Sequence, residues 1–165
     1  MHRTRYVLQG DKTWDVILVD YVARKTTKYI MKLLYTLLCD YAFLSIDRKV
    51  NIIGVFETIN AAKFPVVHPK FVIVGSIEPD KKSFKMSLNI VDKETGSSVL
   101  GDLHEREVNL PQSEGQNFNF IVEVINTNFP KAGEYKLEIK IDGKVIGEAQ
   151  LKLTESKIKA VGDPS

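Results

Sequence analysis

Along "FKMSLNIV", residues 84–91, Phe84, Met86, Leu88 and Ile90 alternate with Lys85, Ser87 and Asn89. Alternation with a period of two puts one set of side chains in a core and the other in water, so a strand is predicted there. "FNFIVEVI", 118–125, repeats the pattern with Phe118, Phe120, Val122 and Val124 on one face. Further strands are predicted over 50–57, with Gly54 inside, over 71–78, entered past Pro69, and over roughly 103–110, which is more polar. "DKETGSS", 92–98, reads as a turn. The punctuation is that of an all-β chain.

Near the C-terminus, parity makes a sharper statement. Tyr135, Leu137 and Ile139 alternate with Lys136, Glu138 and Lys140; Val145, Gly147, Ala149, Leu151 and Leu153 alternate with Lys144, Glu148, Gln150 and Lys152, with Ile146 as the exception. A two-residue Asp142-Gly143 turn would set apolar residues opposite polar ones, which a one-sided core forbids. A three-residue loop, 141–143, with Gly143 left-handed in a bulge, restores the match and is predicted.

The first half of the domain is apolar on both faces. In "LLYTLLCDYAFL", 33–44, Tyr35, Leu37, Cys39, Tyr41 and Phe43 share one face, while Leu34, Leu38, Ala42 and Leu44 occupy the other. The strands at 50–57 and 71–78 also carry Val and Ile on both faces. Such strands are usually covered on both sides. The cover would be the segment before residue 31, the 57–70 loop or another subunit, and the sheet face beneath it is a candidate binding surface.

"LLCDYAFLSIDRKVNIIGVFETINAAKFPVVHP" and the later "FPKAGEYKLEIKIDGKVIGEAQLKL" together resemble the DUF6941-type family of bacterial proteins of unknown function. Members look like a start of "LCDYA", a short turn, a strand ending in "GxF", then "FPxxHP" and finally "PGxYxFxIxVDG". The likeness covers roughly residues 31–153, with Ala132 standing where a second proline is usual. It implies an antiparallel, immunoglobulin-like or C2-like two-sheet β-sandwich of cytoplasmic type, and it implies no activity. The expected organisation is an N-terminal extension over 1–30, which Met31-Lys32 could mark as a product of start-codon choice, a sandwich over 31–154 and a flexible tail over 155–165.

Composition changes the picture little. The chain of 165 residues is 44% hydrophobic and 27% charged, with a net charge of +2. Residues 1–30 hold six Lys/Arg against three Asp, a net +3, and the remaining 135 hold seventeen against eighteen Asp/Glu, a net −1. The domain proper therefore lacks the electrostatic footprint of a nucleic-acid binder. One cysteine excludes an intrachain disulfide and fits a reducing compartment. Cys39 is no lipidation site either: Leu38 precedes it where a small residue belongs, and 33–38 is short for a signal or membrane segment.

Candidate chemistry centres on Asp40, which parity places beside Leu38 and Ala42 and so expects to be partly buried. A buried carboxylate needs a partner. One reading pairs it with Lys63 or His68 of "AAKFPVVHP" as an acid–base or ligand-binding group. The favoured reading is structural, with Asp40 accepting N–H groups from the 57–70 loop or pairing with Lys63 or Arg48. His104, Glu105 and Glu107 read as a solvated strand face rather than a metal cluster. Asp47, Asp80 and Asp92 lie in Lys-rich turns, which opposes calcium. Tyr135 resembles the tyrosine corner of immunoglobulin-like sandwiches.

No catalytic residues, cofactor or metal are expected. The expectation is a non-catalytic, cytoplasmic interaction or structural module that binds a protein partner or itself through the apolar sheet face, without nucleic acid or membrane. The alternatives are a small hydrolase-like or ligand-binding protein using Asp40, Lys63 and His68, and a phage or virion structural domain.

Overall fold

The computed structural model describes residues 31–100, 105–110 and 117–156. The chain divides into two units, residues 1–30 and 31–165, of which the second is described. The expected extension, most of the tail and His104 lie outside the described residues.

Every element among them is a strand: β1 (Lys32–Leu44), β2 (Val50–Phe56), β3 (Thr58–Ala61), β4 (Val66–Glu78), β5 (Ser83–Asp92), β6 (Arg106–Asn109), β7 (Phe118–Phe129), β8 (Gly133–Ile141) and β9 (Lys144–Glu155). They form a four-stranded sheet in the order β2-β1-β4-β7 and a five-stranded sheet in the order β3-β9-β8-β5-β6. The fold is the expected all-β two-sheet sandwich. Pairing is antiparallel except between β3 and β9, which run parallel.

The core lies between the sheets. Leu38, Phe71, Ile73, Ile77, Phe120 and Val124 come from the first sheet, and Phe84, Leu88, Ile90, Tyr135, Leu137, Ile139 and Leu151 from the second. Edge-to-face ring pairs join the layers: Phe118 on Phe84 at 5.7 Å and Phe129 on Tyr135 at 5.6 Å. Such pairs add to area burial by directing the quadrupoles.

Two bulges reconcile local parity with this core. In β1, Leu33 pairs with Ile77 and Tyr35 with Ser76, leaving Leu34 as the extra residue. Leu33 and Leu38, odd and even in number, can therefore both turn inward.

The second bulge corrects the hairpin prediction. Ile141 pairs with Lys144, so Asp142 and Gly143 alone make the turn. Both have positive φ, 48° and 76°, as a type I′ turn requires. Asp142 is held there because its carboxylate accepts the Lys85 N–H at 3.0 Å and pairs with Lys81, while its own N–H donates to the Lys85 carbonyl at 2.8 Å. Register is mended inside β9 instead: Lys140 pairs with Val145 and Ile139 with Gly147, which leaves Ile146 as the extra residue.

The 57–70 stretch is not a loop over the first sheet. Residues 58–61 form β3 on the five-stranded sheet, and 66–70 begin β4 on the other. Lys152 donates its N–H to the Glu57 carbonyl at 2.7 Å, which marks where the chain crosses between sheets.

Candidate functional site

The outer faces of the two sheets are chemically unlike. On the five-stranded sheet, Lys136 contacts Glu138 at 2.9 Å and Glu148 at 2.7 Å, and Lys140 contacts Glu138 at 3.1 Å. The hydrogen bond from Lys136 outweighs burial and lowers the Glu138 pKa. Glu138 and Glu148 in turn raise that of Lys136. This face is polar and internally paired.

The outer face of the four-stranded sheet is apolar. Residues directly opposite in antiparallel strands share a face. Cys39 lies opposite Val55 on one side and Val72 on the other, Tyr41 opposite Ile53, Leu37 opposite Val74, Val74 opposite Ile121, and Lys70 opposite Ile125. Cys39, Val72 and Val74 are fully buried in a small second cluster. Around them Tyr41 is 47% exposed, Ile53 and Val55 each 54%, and Ile125 64%. The Tyr41 and Phe43 rings sit 5.8 Å apart. Lys70 lies 5.6 Å from the Tyr41 ring and 2.7 Å from Glu123, so the charges on this patch cancel.

Cys39 adds no nucleophile here. Burial foremost raises its thiol pKa, and Sγ donates weakly to the Val72 carbonyl at 3.7 Å. The thiolate is the reactive form, so this side chain is inert packing.

Asp40 is exposed, contrary to its expected burial. The β1–β4 ladder ends at Cys39–Val72, so Asp40 stands one residue past it, opposite Gly54 of β2. Its side chain lies against Gly54: a Cβ built there would be 2.2 Å from Asp40 Oδ2. Lys63 is exposed between β3 and β4. His68 is half-buried, 5.7 Å from the Phe71 ring and 6.5 Å from that of Phe56. No hydrogen bond or ion pair joins any two of Asp40, Lys63 and His68, nor Asp40 to Arg48. His68 lies opposite Thr127, whose buried hydroxyl has no hydrogen-bond partner.

Tyr135 behaves as expected of a tyrosine corner, its hydroxyl donating to the Lys131 carbonyl at 2.9 Å. Burial foremost, then the nearby Asp92 charge, raises its pKa. Asp92 is not a turn residue but the buried last residue of β5. Its carboxylate accepts N–H groups from Glu94 at 2.8 Å and Thr95 at 3.3 Å and lies 3.2 Å from Lys131 Nζ. Burial pushes its pKa up, and these contacts together overcome that and lower it. Asp47 is held by Lys49 at 2.6 Å. Among the described residues no three His, Cys, Asp or Glu side chains are grouped as metal ligands.

Lys70 and Ile125 were not singled out by the sequence. The signal was there: starting the strand before Pro69, as a strand-edge proline allows, would have placed Lys70 on the same face as Val72 and Val74.

A model of a family of unknown function (DUF6941) matches residues 34–154. No curated protein matches the chain. Among solved structures, the chain is similar to the Pseudomonas fluorescens alkylpurine DNA glycosylase AlkC bound to DNA containing an abasic site analog. The identity is 11% and the TM-score 0.42, over 75% of this chain and 30% of that one. It is also similar to an immunoglobulin-like protein (PA1606) from Pseudomonas aeruginosa, at 14% identity and a TM-score of 0.38, over 77% of this chain and 98% of that one.

Proposed function

The chain belongs to the DUF6941 family of unknown function, and from the geometry of its own surface we propose a non-catalytic, cytoplasmic interaction module that self-associates through its four-stranded sheet. The observation that carries this reading is the apolar outer face made by Tyr41, Phe43, Ile53, Val55 and Ile125. A two-fold contact sets a patch against its own copy, so the patch must be self-complementary. An apolar field with one internally neutralised pair, Lys70–Glu123, meets that condition without like-charge repulsion.

Magnitudes bound the strength. Burying the exposed half of such a side chain yields about 1 kcal/mol, so two copies gain roughly 10 kcal/mol. Association costs on the order of 4–15 kcal/mol of lost freedom. The balance supports weak association rather than an obligate dimer. The Asp40, Lys63 and His68 reading lacks convergent geometry and is not favoured.

Size-exclusion chromatography with light scattering at low to high micromolar concentration tests the proposal. A concentration-dependent dimer that Ile53→Lys disperses, with an unchanged circular dichroism spectrum, is expected. A monomer across that range overturns it.

A further inference from the structure

An open sheet has two edges, and among the described residues three of the four are short or carry charge. β3 and β6 are four residues each, and β6 carries Arg106 and Glu107. β7 carries Glu123, and its Asn126 has a φ of 51°. β2, "VNIIGVF", is seven residues long with neither a charge nor a proline. Among the described residues it pairs with β1 on one side, and its other side is open. Gly54 has a φ of 69°, yet the register with β1 runs through it without a shift. Edges of this kind template pairing with another strand, which is why proteins usually protect them.

We propose that β2 pairs antiparallel with β2 of a second copy across a two-fold axis at Ile53, joining two four-stranded sheets into one of eight strands. The inference rests on the proposed self-association but joins the copies along the sheet edge instead of face to face, so Tyr41, Phe43 and Ile125 stay on the shared outer face.

Charge selects the register. Residues opposite one another must share a face, so the axis must pass through a residue rather than between two. With the axis at Ile53, Lys49 of each copy stands opposite Glu57 of the other, Asn51 opposite Val55, and Ile53 opposite itself. With the axis at Ile52, Lys49 would face Val55 and Glu57 would have only the turn residue Asp47 near it, so no opposite charges meet. With the axis at Gly54, Lys49 would face Ile59, which is buried in the other sheet. Only the first register puts opposite charges together at both ends. Lys49 and Asp47 are both widely exposed in the single chain, so the ammonium is free to exchange its partner. The same pairing brings the apolar residues Ile53 and Val55 of both copies side by side and makes their faces continuous.

The test is a charge exchange read by analytical ultracentrifugation, with circular dichroism confirming the fold. Lys49→Glu and Glu57→Lys each turn two attractive contacts into two repulsive ones and should weaken the dimer roughly tenfold or more. An equimolar mixture of the two variants restores both contacts in a heterodimer and should recover wild-type affinity. Val145→Asp, on the outer face of the five-stranded sheet, should leave the dimer intact. Single variants that bind as tightly as wild type overturn the inference, as does a mixture without recovery. If, in that event, Ile125→Asp disperses the dimer, association through the face stands without the edge. A wild-type monomer overturns both.

Discussion

Leu33 fills the place a side chain at Gly147 would occupy: a Cβ there would lie 2.2 Å from Leu33 Cδ2 and 3.3 Å from its Cβ and Cγ. The contact joins β1 of one sheet to β9 of the other, and both residues owe their positions to the bulges at Leu34 and Ile146. Gly147→Val should overpack this point and cost about 1–3 kcal/mol. Urea denaturation midpoints check it. Leu33→Ala should lose less in the Gly147→Val background than in wild type, because neighbours sharing one space are not additive.

Removing the Tyr135 hydroxyl separates its hydrogen bond from its packing. Tyr135→Phe keeps the edge-to-face contact with Phe129 and loses the bond to the Lys131 carbonyl. The expected cost is about 1–2 kcal/mol, from the lost bond and an acceptor left in a partly buried site. Guanidinium unfolding reads this directly, and no change would sink the assigned role.

Acid should destabilise the fold through Asp92. Its folded pKa is lowered, as are those of Asp47, Glu138 and Asp142. A depressed carboxylate contributes stability that is present above its unfolded pKa and lost as pH falls through the folded one. Unfolding free energy should therefore decline as pH drops below about 4. In Asp92→Asn that decline should be shallower, which denaturation at a series of pH values would measure. Lys131 works in the opposite sense: its pKa is raised, by Glu94 first and Asp92 next, so its contribution fades only as pH rises through that elevated value.

Asp40 and Gly54 make a contrasting pair. Asp40 is exposed and accepts no hydrogen bond, so Asp40→Ala should change stability by no more than about 0.5 kcal/mol. Gly54 has a φ of 69°, and any side chain there meets Asp40. Gly54→Ala should cost about 1–2 kcal/mol. Thermal melts of the two variants distinguish them, and a large loss in Asp40→Ala would restore a structural role for the carboxylate.

What the sequence determined by itself was local. Alternation over 84–91, 118–125 and 135–141 marked the strands and their inward faces because period two is a property of the backbone alone. The same alternation showed that the last hairpin needed one extra residue, and Ile146, the exception in its pattern, is where that residue lies. Tertiary structure decided the rest. Asp142 can occupy the turn because Lys85 and Lys81 of β5 and the segment before it hold its carboxylate, so the bulge moved into β9. Residues 57–70 became parts of two strands in different sheets because β3 found its partner in β9, far along the chain. Asp40 ended in water one residue past the end of the β1–β4 ladder, although Leu38 and Ala42 on either side of it along the same face are buried. Burial is set by what a distant strand covers, and neither a residue nor its neighbours in sequence carry that information.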